Sequence, residues 1–134
     1  ALGWASMHNH AQVMMRLYGQ ARGRAAEYWG ETWVASDTQV RQLRIPQRAV
    51  NALALQTPAF RRKLAAFAAG VNAFAKAHPE KLTDELARVL PIATVDLLAH
   101  QQRSGVLPFA LAAMAQTAAS FSQRGSNAWV LAPS

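Results

Sequence analysis

From Trp4 onward, small or apolar residues fall at Trp4, Met7, Ala11, Met14, Tyr18, Ala21, Ala25 and Tyr28. Steps alternating between three and four residues return to one side of an α-helix, so this stretch predicts a sustained helical face. Gly19 and Gly23 interrupt the face, serving either a close helix contact or a bend. Gly30 reads as its stop. Residues 31–46 are mixed and polar and are expected to be irregular. Pro46 can open a helix running to about Leu55. Thr57-Pro58 sets a capping hydroxyl before proline at the first helical position. The helix it starts carries Phe60, Leu64, Phe67, Val71 and Phe74 on one side and should end before His78-Pro79. Thr83 is expected to cap a short segment with Leu86, Val89 and Leu90, closed by Pro91. Thr94 is expected to cap the next helix, with Asp96 in its first turn, where the helix dipole favours an anion. That helix fades at Ser104-Gly105.

The remainder changes character. Pro108 to Ala119 is alanine-rich and helix-compatible, and residues 120–125 form a polar connector. Ala128 to Ala132 is a short apolar run between Gly125 and Pro133, which reads as a buried strand. A strand needs partners for its backbone groups, and no other segment here reads as one. The helical pattern also begins without a cap. The chain is therefore expected to be part of something longer: a helical segment 1–119, a linker 120–125 and a strand segment 126–134.

Composition reinforces the helical reading, with 29 alanines against 11 valines and isoleucines together. The chain has no cysteine, which excludes disulfides, thiolate metal sites and a cysteine nucleophile. Its longest apolar runs, Leu64 to Ala75 and Gly105 to Ala115, fall short of the roughly 18 residues a membrane span needs. The N-terminal residues lack the pattern of a secretory signal.

Fourteen basic residues against seven acidic ones give a net charge of +7. No acidic residue separates Asp37 from Glu80, whereas Arg41, Arg44, Arg48, Arg61, Arg62, Lys63 and Lys76 lie between them. The helical spacing of Arg41, Arg44 and Arg48 suits either a phosphate-facing stripe or a solvated face paired with an acidic surface. No helix-turn-helix, zinc or RNA-recognition signature accompanies it. One reading is thus a small basic helical binding module, for nucleic acid or an acidic partner, without catalysis. His8 and His10 do not share a helix face, and His78 and His100 stand alone, so no metal site and no cofactor are expected. Asp96 reads as a helix-start charge, and the aromatic residues of the first helix as core.

Gly125-Ser126-Asn127-Ala128-Trp129-Val130 admits a sharper reading. A turn entering a strand explains it blandly. A serine at a strand's mouth, after glycine and a linker, is also what self-cleavage to an N-terminal serine requires. Glycine leaves the preceding carbonyl open and tolerates unusual backbone angles. The serine hydroxyl can attack that carbonyl, forming an ester that water cleaves. The freed α-amine, with an ordinary pKa of about 7.7–8.0, can then serve as base beside its own hydroxyl.

This run resembles the β-chain start of the penicillin acylase family, N-terminal-nucleophile hydrolases that include acyl-homoserine lactone acylases. Gly3 through Gly30, ending Ala21-Arg22-Gly23-Arg24-Ala25-Ala26-Glu27-Tyr28-Trp29-Gly30, is similar to the family's early α-chain helix. Phe67-Ala68-Ala69-Gly70-Val71-Asn72-Ala73-Phe74 resembles its Ala-Gly-Val-Asn helix, and Thr94-Val95-Asp96-Leu97-Leu98 its Thr-x-Asp element. All occur in family order. The resemblance implies a mainly helical chain with a C-terminal strand, forming part of an α+β four-layer αββα fold. It implies Ser126 as nucleophile, Gly125–Ser126 as the autocleavage site, and Leu97, His100 and Ser104 as part of the acyl-pocket wall. It further implies an N-acylated small-molecule substrate, such as an acyl-homoserine lactone or a penicillin-type β-lactam. The rest of the β-chain would be the partner, and the location periplasmic. Two departures stand out: His8-Asn9-His10 replaces an acidic–basic pair common in relatives, and no acidic residue after Asp96 matches a calcium ligand some relatives use.

Overall fold

A computed structural model describes residues 2–105, which fold as a set of helices with no strand among the described residues. Two long helices, α1 (Leu2–Ala21) and α5 (Pro58–Ala77), pack along each other. Shorter helices surround them: α2 (Ala25–Trp29), α3 (Val34–Gln42), α4 (Ile45–Ala54), α6 (Asp84–Ala87) and α7 (94–105). The linker 120–125 and the strand expected at 126–134 lie outside the described residues.

The predicted face of α1 is buried through Met7, Ala11, Tyr18 and Ala21, with Met15 rather than Met14 filling the centre. The helix is kinked at His10. The two glycines divide their expected roles. Gly23, at φ +64°, makes the bend that separates α1 from α2, while a Cβ on Gly19 would lie 2.6 Å from the Trp29 ring. The face survives the bend, since Ala25 and Tyr28 are buried too.

Residues 31–46 are not irregular. They hold a 3-10 turn, Glu31–Trp33, and then α3. Only Asp37 and Val40 of α3 are buried, so it carries no apolar stripe to betray it. Its holding interaction is polar: the Asp37 carboxylate accepts the N–H groups of Ala25 (2.9 Å) and Ala26 (2.8 Å), capping α2 from across the fold. Thr57 caps α5 as expected, accepting from the Phe60 N–H at 3.2 Å. Thr83 makes no side-chain capping bond. At α7 the capping carboxylate is Asp96, which accepts the Ala93 N–H at 2.7 Å; Thr94 is the first helical residue and not the cap.

The core has two parts. Met7, Met15, Tyr18, Tyr28, Val71, Phe74, Val89 and Ile92 form one with Leu86 of α6. Ala21, Val40, Ile45, Ala49, Leu98 and Ala99 form the other, between α3, α4 and α7. Helix α7 touches both, because Leu97 packs on the first and Leu98 on the second.

Where α1 crosses α5, backbone meets backbone: a Cβ on Gly3 would stand 2.0 Å from the Phe67 carbonyl oxygen, and one on Gly70 would stand 3.0 Å from Trp4 N. A methyl at Gly3 therefore forces the two helices apart. Gly3→Ala should lower stability by about 1–3 kcal/mol or more, as overpacking does, whereas Gly105→Ala, with no atom of the described residues within 4 Å of its Cβ position, should cost far less. Urea unfolding of the two variants checks this.

Candidate functional site

In the segment from Val89 to Ala93, which enters α7, the Val89 and Leu90 N–H groups close turns on the Leu86 and Ala87 carbonyls. Side chains satisfy other backbone groups of the segment. The Asn72 amide on α5 donates to the Ile92 carbonyl and accepts the Ile92 N–H, both at 2.8 Å. This is a peptide-like bridge from a side chain.

Arg22, just after α1, supplies the rest. Its Nε donates to Asp96 Oδ1 (2.8 Å) and its Nη2 to Asp96 Oδ2 (2.6 Å), a forked pair. Nη1 also donates to the Val89 carbonyl (2.7 Å) and the Tyr28 hydroxyl (3.2 Å), and Nη2 to the Pro91 carbonyl (2.8 Å). Every guanidinium N–H thus has an acceptor. The pair is well shielded, with side chains 17% and 5% exposed. Hydrogen bonding to Asp96 raises the Arg22 pKa further above its already high ordinary value, against the opposing effect of burial. Asp96 is more than a helix-start charge: it caps α7 and anchors Arg22 at once.

The anchored helix presents the three residues expected to form a pocket wall. Leu97 opens into a cleft of about 310 Å³ between α1, α5 and α7, lined also by Leu2, Tyr18, Lys63, Leu64 and Phe67. His100 meets the edge of the buried Tyr18 ring, with centroids 5.9 Å apart and planes at 90°. Ser104, exposed one turn further on, places Oγ 3.5 Å from His100 Nδ1. The three follow one another along α7, but only Leu97 lines the cleft.

Two titratable groups on this face are shifted toward their neutral forms. Burial, and then the Asp96 charge, push the Tyr18 phenol up to about 12, so it stays protonated. Burial, helped by the Arg103 cation, holds the His100 imidazole below its ordinary range. Burial also lowers Arg103.

The basic stripe is partly structural. Arg41 donates to the Gly23 carbonyl (2.9 Å), and Arg61 donates to Gln56 (2.9 Å) and Ala54 (2.7 Å) carbonyls at the end of α4. All four of Arg41, Arg44, Arg48 and Arg61 are exposed, and the bonds engage Arg41 through Nε and Arg61 through Nε and Nη2. Among the described residues no three histidine or acidic side chains gather in a way that could hold a metal. Ser126 and Gly125 lie outside the described residues.

Sequence reasoning passed over Arg22, Asp37 and Asn72 as individual site-forming residues. The available signal was a polar residue at a core-phased position, as Asn72 is between Val71 and Phe74.

Removing either member of the Arg22–Asp96 pair leaves the other charge buried and unpaired. Arg22→Met and Asp96→Asn should each cost about 3–5 kcal/mol in urea unfolding. The double variant should lose less than the sum, since the two residues act as one unit. A second expectation concerns pH. The folded His100 imidazole protonates at lower pH than the unfolded one, whose pKa is about 6.5, so the unfolded chain takes up the proton first as pH falls. Stability should therefore be full above that value and decline below it, through the folded pKa. Unfolding midpoints between pH 7 and 5 should show this decline, and His100→Gln should flatten it.

Comparison with known families extends this picture to the residues beyond α7. The family model described as penicillin amidase matches residues 1–134, from the first residue of the chain to the last. The chain, from the kinked first helix through Gly125-Ser126, belongs to the penicillin amidase family.

Proposed function

We propose that this chain contributes the nucleophile and part of the acyl-binding wall of a serine amide hydrolase. At family level the match supports an acylase or amidase function. The observation that carries the finer reading is that the match runs through Gly125-Ser126-Asn127, where a glycine precedes a serine at the start of an apolar run.

In this reading the Ser126 hydroxyl attacks the Gly125 carbonyl, the peptide nitrogen departs as the new α-amine, and water hydrolyses the ester. The cleaved protein then has segments 1–119 and 120–125 on one chain, with Ser126 opening the next. The α-amine takes the proton from the Ser126 hydroxyl as it attacks a substrate amide. That amide nitrogen leaves protonated as the free amine, and the acyl group stays on Ser126 as an ester. Water then releases the carboxylic acid and frees the hydroxyl. While Gly125–Ser126 is intact, the nitrogen is an amide and cannot act as base, so the uncleaved chain is inactive.

Leu97, His100 and Ser104 form one wall of the acyl pocket in this reading. The apolar cleft at Leu97 and the uncharged state favoured for His100 support a substrate group that is itself apolar. N-acylated small molecules fit this description, acyl-homoserine lactones and penicillin-type β-lactams among them. The remaining β-chain would supply the oxyanion donors that acyl transfer needs. The location would be periplasmic, as for the bacterial members this chain resembles. No described helix is long and apolar enough to cross a membrane.

Mass spectrometry of the full-length protein should find a chain beginning at Ser126, together with release of free acid from an acyl-homoserine lactone or penicillin. Ser126→Ala should abolish both. Cleavage between residues 125 and 126 in the Ser126→Ala variant would refute the assignment.

A further inference from the structure

The turn that joins α4 to α5 is apolar and open to solvent. Leu55 is 86% exposed and Phe60 42% exposed, and no charged side chain occurs from Ala49 through Phe60. The turn is held in shape by its own hydrogen bonds. Thr57 accepts the Phe60 N–H, the Gln56 N–H closes on the Leu53 carbonyl at 3.2 Å, and the Arg61 guanidinium donates across the turn to the Ala54 and Gln56 carbonyls. Leu55 and Phe60 are thus presented on ordered backbone, which lowers the entropy lost on binding.

Cations flank this tip on both sides. Arg48 precedes it and Arg62 and Lys63 follow it, all three exposed. Arg48 lies two helical turns before Leu55 on the same side of α4, about 10 Å back along the axis. Lys63 stands three residues after Phe60, a neighbour on the surface of α5. The acidic residues next along the chain are remote. Asp37 is buried and occupied by the Ala25 and Ala26 N–H groups, and Glu80 lies past the far end of α5, about 30 Å from its start. Ion pairs among the described residues join Arg22 to Asp96, Arg24 to Glu27 and His78 to Glu80, and none involves Arg48, Arg62 or Lys63.

We propose that this turn docks on an anionic lipid surface, with Leu55 and Phe60 entering the boundary between headgroups and acyl chains. Arg48, Arg62 and Lys63 face the lipid phosphates, and Arg61 positions the turn. Charge and depth together select this occupant. An anionic bilayer offers negative charge at its surface and an apolar medium about 5–10 Å below it, which matches the offset between Arg48 and Leu55. A nucleic acid would take up the cations but leave Leu55 in water. An acidic protein would need an apolar recess inside its ring of carboxylates. The contact lies on the membrane and does not span it, since no described helix is long and apolar enough to cross.

Flotation of the full-length protein with vesicles of equimolar phosphatidylglycerol and phosphatidylcholine tests this. Affinity should exceed that for phosphatidylcholine vesicles by about ten-fold or more and should fall as salt is raised. Arg48→Gln combined with Arg62→Gln should weaken binding about 20-fold, at roughly five-fold per cation, and the corresponding Arg→Lys pair should retain it. Leu55→Ser combined with Phe60→Ser should weaken it about ten-fold or more through lost apolar burial. Val13→Ser, at an exposed position of α1, should bind like the parent. All the substituted side chains are exposed, and circular dichroism spectra matching the parent check that the variants fold. Absence of binding to the anionic vesicles would overturn the proposal, as would parental affinity in the Leu55 and Phe60 double variant. Heparin binding as tight as vesicle binding and indifferent to Leu55 and Phe60 would overturn it too, assigning the surface to polyanions at large. The substituted residues lie outside the acyl-transfer site, so the outcome is independent of hydrolysis.

Discussion

The guanidinium of Arg22 is the constraint on which the arrangement depends. It is charged at any accessible pH and largely removed from water, so each of its N–H groups must find an acceptor. The acceptors come from four places in the chain: the Asp96 carboxylate, the Tyr28 hydroxyl and the carbonyls of Val89 and Pro91. Each is held only if the end of α1, the last turn of α2, the 89–93 segment and the first turn of α7 are correctly placed together. A lysine could match the charge but not the planar fork that grips both oxygens of Asp96. The cost of burying the ions makes this pair a weak source of net stability. Its consequence is geometric, because alternatives that separate the two charges are penalised.

The same logic recurs at smaller scale. Asn72 satisfies both backbone groups of Ile92, Asp37 caps α2, and Arg41 and Arg61 take up carbonyls near turns. Apolar packing between α1 and α5 brings the long helices together without specifying where the connecting segments lie. Polar side chains supply that information. The basic excess is therefore not a single surface property. Part of it also holds backbone carbonyls, through the shielded Arg22 and the exposed Arg41 and Arg61.

This division explains which elements could be read from the chain. Helices α1, α4 and α5 announce themselves because their apolar spacing, capping residue or prolines are local signals, and Thr57 and Pro58 act where they stand. Helix α3 escaped because its anchor, Asp37, works through partners on α2, and a narrow buried face leaves no periodic trace. The Arg22–Asp96 pair spans 74 residues of sequence, so neither residue's neighbours reveal the other. Asp96 looked complete as a helix-start charge because one of its two roles is local. Leu97, His100 and Ser104 could be assigned to one helix from spacing alone. Their different surroundings depend on Tyr18 and Phe67, which arrive from other helices.

Position along α7 thus carries two kinds of information. Asp96 sets where the helix begins and how it is rotated, because its carboxylate binds the Ala93 N–H on its own segment and Arg22 on another. Once that rotation is set, the next residues have no freedom: Leu97 must open toward α5, Leu98 and Ala99 must enter the second core, and His100 must meet Tyr18. A rotation of one residue, about 100° on a helix, would carry the Asp96 carboxylate away from Arg22 and bring the polar His100 toward the buried positions. The polar clamp and the apolar core therefore reject the same alternatives, which is how one charged pair can fix the wall of a cleft it does not touch.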